Sequence, residues 1–291
     1  MHPRVRALFD LQQLRSYRKP SPLILVNGLA EQSESWFANR VALSRSFDVK
    51  VPEILVYAGE SIQKRIDDGG EISVAYLAER LTTYLDEFVQ RPPYHLVGSS
   101  LGGQIILTYA VAHPEKVARI VLIAPSGIHG DENLPVMEGV RRSQYGTLVK
   151  SVFHKEKFAS DELVDAIARK FQDRIWKKGV LKTLRGTVGH SVRDLLSQVE
   201  HPTLFLWGSE DKVIADVKGS IRTVQERMPN AKQVVIPKCG HAPQIEKARL
   251  VNQLVKRFLR DDWKPTLPAF DPMRFLNPRA AMFTSHTKPS V

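Results

Sequence analysis

Three residues with acyl-transfer chemistry stand in a usable order along this chain: Ser100, Asp211 and His241. Ser100 lies in Tyr94-His-Leu-Val-Gly98-Ser99-Ser100-Leu101-Gly102-Gly103, which reads as a buried strand that stops at a glycine and restarts as a helix. A G-x-S-x-G sequence in a strand–turn–helix setting holds its serine on a sharp, strained turn with the hydroxyl projecting from the sheet. Gly98 and Gly102 remove the Cβ atoms that such a turn would bring into collision. The following helix aims its first N–H groups at the serine, where negative charge develops. A serine hydroxyl is a poor nucleophile at neutral pH, so it needs an imidazole to take its proton.

Position discriminates among the nine histidines. His241, in Cys239-Gly-His-Ala-Pro-Gln-Ile-Glu246, follows the last strand pattern and precedes the C-terminal helix pattern, at the same sheet edge as Ser100. His95 belongs to strand packing, His113 ends a helix, and His154, His190 and His201 lie in or beside a helical insertion. The imidazole in turn needs a carboxylate to fix its tautomer. Asp211 is the candidate, in Gly208-Ser-Glu-Asp-Lys-Val-Ile214, with Glu210 and Asp216 as close alternatives. An oxyanion hole needs two backbone donors. Leu101 N–H follows the nucleophile directly, and Leu29 N–H is the candidate from the loop Asn27-Gly28-Leu29-Ala30. Asn27, Gly28 and Ser99 flank these donors and are candidate substrate contacts.

Parallel strands with intervening helices would bring these loops to one edge. Leu23–Val26, Asp48–Val56, Tyr94–Gly98, Arg119–Ala124, Thr203–Trp207 and Lys232–Ile236 are short apolar runs of the kind buried on both sheet faces. Between them run helical stripes: Val74, Leu77, Leu81, Leu85 and Phe88 behind a Ser73 N-cap; Val217, Ile221, Val224 and Met228; Leu250, Val251, Leu254, Val255 and Phe258. The alternation predicts a three-layer α/β fold. Residues 128–200 lack strand patterns and predict a helical cap over the edge where ligands bind. Within it, Ser160 starts a helix with Leu163, Ile167, Phe171 and Ile175 on its apolar face and Gly179 as its stop. The chain thus divides into an extension (1–20), a first α/β core segment (21–127), the cap (128–200), a second α/β core segment (201–260) and a Pro-rich strap or tail (261–291). Trp263, Phe270 and Phe275 are expected to pack the first half of that strap onto the core.

Composition narrows the setting. The single cysteine, Cys239, excludes an internal disulfide framework, and no Cys/His cluster has metal-ligand spacing. No apolar run approaches the roughly 18 residues of a membrane span, and the basic N-terminus has no apolar secretory core. A cytoplasmic setting follows as the expectation. The formal charge of +11 is spread and interleaved with acids, as in Lys155-Glu156-Lys157, which predicts a solvated surface rather than a nucleic-acid interface.

With these pieces in order, the chain resembles the α/β-hydrolase family over residues 23–260, through its elbow at Gly98–Gly103, its acid loop from Trp207 to Asp211 and its histidine loop at Gly240–Glu246. The resemblance implies a mostly parallel central sheet flanked by helices, a helical cap insertion, no cofactor, no metal and a small acyl substrate. Asn27-Gly28 matches the family's usual His-Gly only at the glycine, and Pro52–Gly59 lacks its Asp-x-x-Gly-x-Gly. Lys238-Cys-Gly-His241 and the cap length are similar to C–C bond hydrolases of aromatic meta-cleavage pathways, in which Arg169 would meet a substrate carboxylate. Ser99, Leu101 and Ala242 depart from that subgroup. The expectation is a serine hydrolase of carboxylic esters. The C–C hydrolase, an acyltransferase and a weakly catalytic ligand-binding relative stand as alternatives, with oligomeric state unspecified.

Overall fold

The computed structural model describes residues 20–31, 33–129, 142, 144–263 and 276. Chain order is β1 (Pro22–Val26), α1 (Phe37–Ser44), β2 (Asp48–Lys50), α2 (Glu60–Asp67), α3 (Val74–Tyr84), β3 (Tyr94–Ser99), α4 (Leu101–Ala112) and β4 (Val117–Ile123). The insertion follows, with α5 (Tyr145–Val152), α6 (Asp161–Gln172) and α7 (Arg174–Thr187). The chain then returns through β5 (Thr203–Gly208), α8 (Val217–Arg227), β6 (Lys232–Ile236), α9 (Pro243–Glu246) and α10 (Ala248–Leu259).

All six strands run parallel in the order β2-β1-β3-β4-β5-β6. The chain leaves β1 toward β2 and then crosses to the other side for β3, so the order reverses between β1 and β3. That point opens a crevice at the carboxyl ends of the strands. The alternation of side chains along a strand builds two cores. Ile24, Val26, Leu96, Ile120, Leu122, Phe205 and Trp207 face one layer of helices with residues of α3, α4 and α8. Leu23, Leu25, Val97, Val121, Leu204, Leu206, Val234 and Ile236 face the other with residues of α1 and α10.

Several local expectations change. The predicted strand Asp48–Val56 ends at Lys50, because it is an edge strand and Pro52 has no N–H to give. Beyond it Ile54, Leu55 and Tyr57 turn inward and are buried. Ser73 does cap α3, accepting from Tyr76 N–H at 3.2 Å. Its stripe continues through a π-helical turn, Leu85–Val89, which adds a residue to the period. Val89 is therefore buried and Phe88 lies 69% exposed. Ser160 caps α6 as expected, but α6 ends at Gln172 and Asp173 caps a second helix through Ile175 and Trp176 N–H. Ile175 is consequently exposed, and Gly179 lies inside α7 rather than stopping a helix. A Cβ on Gly179 would lie 2.3 Å from the Tyr57 carbonyl oxygen, so glycine permits this close helix approach. Trp263 packs edge-on against Phe258 at 5.9 Å. The predicted N-terminal extension up to Arg18 and Lys19, and the strap residues Phe270 and Phe275, lie outside the described residues.

Candidate active site

Ser100 sits at the β3–α4 junction with φ 49° and ψ −117°, a conformation costly for a residue with a Cβ. The surroundings hold it there. Ser100 N–H donates to Ile123 O of β4 at 2.9 Å, and its carbonyl accepts Gly103 N–H at 2.9 Å. The elbow is tight enough to need its glycines. A Cβ on Gly98 would meet Gly102 O at 2.6 Å, and one on Gly102 would meet Val26 O at 2.3 Å. The same contact seats the start of α4 against the end of β1, beside the next loop.

That loop, Asn27–Glu31, runs past Ser100. A Cβ on Gly28 would be 3.1 Å from Ser100 Cβ and 2.9 Å from Glu31 Oε1. Its amides are partitioned: Gly28 N–H donates to Glu31 Oε2 at 3.1 Å, and Ala30 N–H to Tyr57 Oη at 2.8 Å. Leu29 N–H lies between these two bonds, without a hydrogen-bond acceptor among the described residues. Leu101 N–H, at the head of α4, is the other candidate donor.

Asp211 and His241 are brought together by two loops stitched backbone to backbone. Glu210 N–H donates to Cys239 O at 2.9 Å and Ser209 N–H to Ile236 O at 3.0 Å. Gly208 lets Gly240 approach, since a Cβ there would lie 2.0 Å from Gly240 O. His241 Nδ1 bonds Asp211 Oδ2 at 2.8 Å, with the two side chains 8% and 1% exposed. Asp211 Oδ1 accepts Val213 and Ile214 N–H at 2.8 and 3.0 Å. Those bonds fix the carboxylate in place, and Oδ2 as an acceptor selects the imidazole tautomer with the proton on Nδ1. The alternatives resolve the same way: Glu210 is exposed, and Asp216 caps α8 through Gly219 N–H at 2.7 Å. Cys239, next in line, is fully buried, and burial pushes its thiol up to about 12, so it stays protonated.

The remaining candidates lie elsewhere than sequence placed them. The Asn27 side chain turns away to accept Trp36 Nε1–H at 2.9 Å. Ser99 is completely buried, donating to Glu31 Oε1 at 3.0 Å and accepting from Gln244 Nε2 at 3.1 Å. Both side chains are buried and hydrogen-bonded within the protein. Arg169 is exposed on α6. Sequence reasoning passed over Glu31, Tyr57 and Gln244, whose roles arise only from loops meeting in space. Glu246 figured there only as the last letter of the histidine motif. That buried carboxylate accepts Gly240 and His154 N–H at 2.8 and 2.9 Å and Lys155 N–H at 3.2 Å. His241 N–H adds a bond to Val152 O at 2.8 Å, so the histidine loop and the end of α5 form one unit. Among the described residues there is no cluster of three or more metal-ligating side chains, and no helix is long and apolar enough to cross a membrane.

Comparison with known proteins gives this geometry a family. The chain is 28% identical over 253 residues to the dihydrolipoyllysine-residue acetyltransferase component of the acetoin cleaving system of Pseudomonas putida, covering 82% of this chain and spanning only 64% of that protein. It is 20% identical over 275 residues to monoacylglycerol lipase ABHD6 of Mus musculus, covering 86% of this chain and 80% of that one. A crystal structure of a putative lipase from Acinetobacter baumannii superposes with a TM-score of 0.68 at 27% identity, over 84% of this chain and 85% of that one. The family model for the alpha/beta hydrolase fold matches residues 21–162 and 141–248, and the chain belongs to that family.

Proposed function

We propose that the protein is a serine hydrolase of carboxylic esters or related acyl compounds. The observation that carries this reading is the buried His241–Asp211 pair, 2.8 Å apart, at the sheet edge where the strained Ser100 elbow emerges. Ser100 Oγ attacks the acyl carbonyl while His241 Nε2 takes its proton. The tetrahedral oxyanion is held by Leu29 and Leu101 N–H, each worth on the order of 3 kcal/mol of the barrier. Collapse expels the alcohol, which leaves with the proton from His241. Water then attacks the acyl-enzyme with His241 as base, and Ser100 is regenerated. The steps consume only water and need no cofactor. Helices α5, α6 and α7 act as a cap that selects the acyl group. The lipase relatives favour an ester substrate. The C–C alternative would need a cationic cap residue such as Arg169, which is exposed on α6.

The test is intact mass after treatment with a fluorophosphonate. One adduct on the wild type, none on Ser100→Ala and slow labelling of His241→Ala are expected. A well-folded wild type that takes no adduct would sink the proposal. Asp211→Asn should keep the fold and lose about 10⁴ in kcat, because the amide selects the wrong imidazole tautomer. Ester hydrolysis at saturating substrate measures it.

A further inference from the structure

Tyr57 lies on none of the catalytic loops, yet it touches both the loop beside the nucleophile and the helical insertion. Its hydroxyl accepts Ala30 N–H at 2.8 Å. Ala30 itself sits at φ 59°, a left-handed conformation that a residue with a Cβ leaves readily unless something holds it. That bond, with the one from Gly28 N–H to Glu31, leaves Leu29 N–H as the amide between two anchored neighbours.

The other side of Tyr57 belongs to the insertion. Its ring meets Trp176 of α7 edge-on, with centroids 5.5 Å apart. Trp176 meets Phe171 of α6 at 4.8 Å, and Phe171 stacks on Tyr145 of α5 at 5.1 Å. The Tyr57 carbonyl accepts Gln63 Nε2–H at 2.6 Å, and the same amide reaches Ile175 O at 3.3 Å. Gly179 closes the contact by letting α7 lie directly on the Tyr57 backbone. Tyr57 is 1% exposed, and burial drives its hydroxyl well above the usual phenol range, so it remains a neutral dipole at working pH.

We propose that Tyr57 is a positioning residue that couples the seating of the helical insertion to the oxyanion loop, through the contact series Tyr145–Phe171–Trp176–Tyr57–Ala30. A substrate lodged under the insertion moves or fixes α7, Tyr57 follows, and the Leu29 amide is set for the transition state. This rests on the serine-hydrolase reading, since it gives the Leu29 N–H its role. A chain of contacts is a pathway only if its members are energetically coupled, so the test is a double-mutant cycle.

Wild type, Tyr57→Phe, Trp176→Phe and the double variant are compared on a p-nitrophenyl ester. Thermal melting is followed alongside, as is the rate of fluorophosphonate labelling at Ser100. Tyr57→Phe keeps the ring and removes only the hydroxyl. Its kcat is expected to fall about 10- to 100-fold with KM changed less than about twofold, because a small misplacement of a donor costs rate rather than ground-state binding. Labelling should slow in parallel. Trp176→Phe should shift kcat in the same direction by less, and the double variant should be no slower than Tyr57→Phe alone. A labelled wild type with unchanged kcat in Tyr57→Phe overturns this inference and spares the nucleophile. Effects of the two changes that multiply overturn the coupling. Should Tyr57→Phe lose its fold, Trp176→Phe decides, since it retains the hydroxyl and wild-type kcat there overturns the link to the insertion. A wild type unlabelled at Ser100 strikes the hydrolase reading, and this inference falls with it.

Discussion

At the scale of single residues, the site depends on carboxylates doing different work in similar surroundings. Asp211 accepts from an imidazole, whereas Glu31 accepts from Gly28 N–H, Ser35 Oγ and Ser99 Oγ and thereby fastens the loop beside Ser100. Through Ser99, Glu31 is joined to Gln244 on α9, so one polar network ties the loops that carry Leu29, Ser100 and His241. Glu31→Ala leaves the buried Ser99 hydroxyl and the Gly28 amide short of an acceptor, at about 1–3 kcal/mol of stability. We expect kcat to fall roughly tenfold as the loop loosens, in line with the cost of misplacing a catalytic group. Urea unfolding and steady-state kinetics on one preparation check both, and wild-type values would deny the network any role. The Ser100 turn and the Asp211–His241 pairing were legible because each belongs to a short glycine-bearing pattern that follows a strand. Glu31, Tyr57 and Gln244 were not. Gln244 and Ser99 are 145 positions apart, and only folding makes their hydrogen bond a fact about the site.

Among the elements, legibility followed period and end signals. Strands buried on both faces were read to within a residue or two at β1, β3, β4, β5 and β6, because continuous apolar runs bounded by polar loops have few other interpretations. The failures have separate causes: Pro52 ends an edge strand, a π-helical turn shifts the stripe at Phe88, Asp173 caps a new helix, and a tertiary contact decides the role of Gly179. Gly179 looks like a helix stop, and becomes the place where α7 rests on Tyr57. Its replacement sets two magnitudes against each other. Gly179→Ala should add up to about 1 kcal/mol of helix propensity. The new methyl, however, would lie 2.3 Å from a backbone oxygen that cannot rotate away, so α7 must shift. Overpacking of this kind costs about 1–3 kcal/mol. We therefore expect net destabilisation, read as a lower urea midpoint at unchanged m-value, and a gain in stability would show that α7 is free to move. Glu246 is the corresponding joint on the other side, with three amides from the histidine loop and the end of α5 converging on its carboxylate. The insertion is thus anchored at both of its approaches to the site.

Over the whole molecule, the sheet separates a reactive edge from a quiet one, and a histidine at the quiet end reports on global stability. His95 lies at the start of β3, 8% exposed, edge-on to Phe47 at 5.7 Å. Burial first, and the Arg119 guanidinium second, lower its pKa to about 4 from the ordinary 6.5. The folded chain therefore keeps the ring neutral where the unfolded chain protonates it. Above about pH 6.5 both states carry a neutral imidazole and His95 adds no pH dependence. As pH falls toward about 4, the unfolded state binds a proton that the folded state refuses, and stability declines; below that value the folded ring also protonates and the decline levels off. At about 1.4 kcal/mol for each tenfold loss of proton affinity, discounted for the exposure the ring retains, this amounts to roughly 2 kcal/mol. His95→Leu removes the titration while keeping an apolar side chain on the strand. Its urea-derived stability should fall less than that of the wild type between pH 6.5 and 4, while ester turnover at neutral pH stays unchanged because the residue is remote from Ser100. Parallel stability curves for the two proteins would mean that the ring is protonated in place, with solvent reaching the base of the sheet.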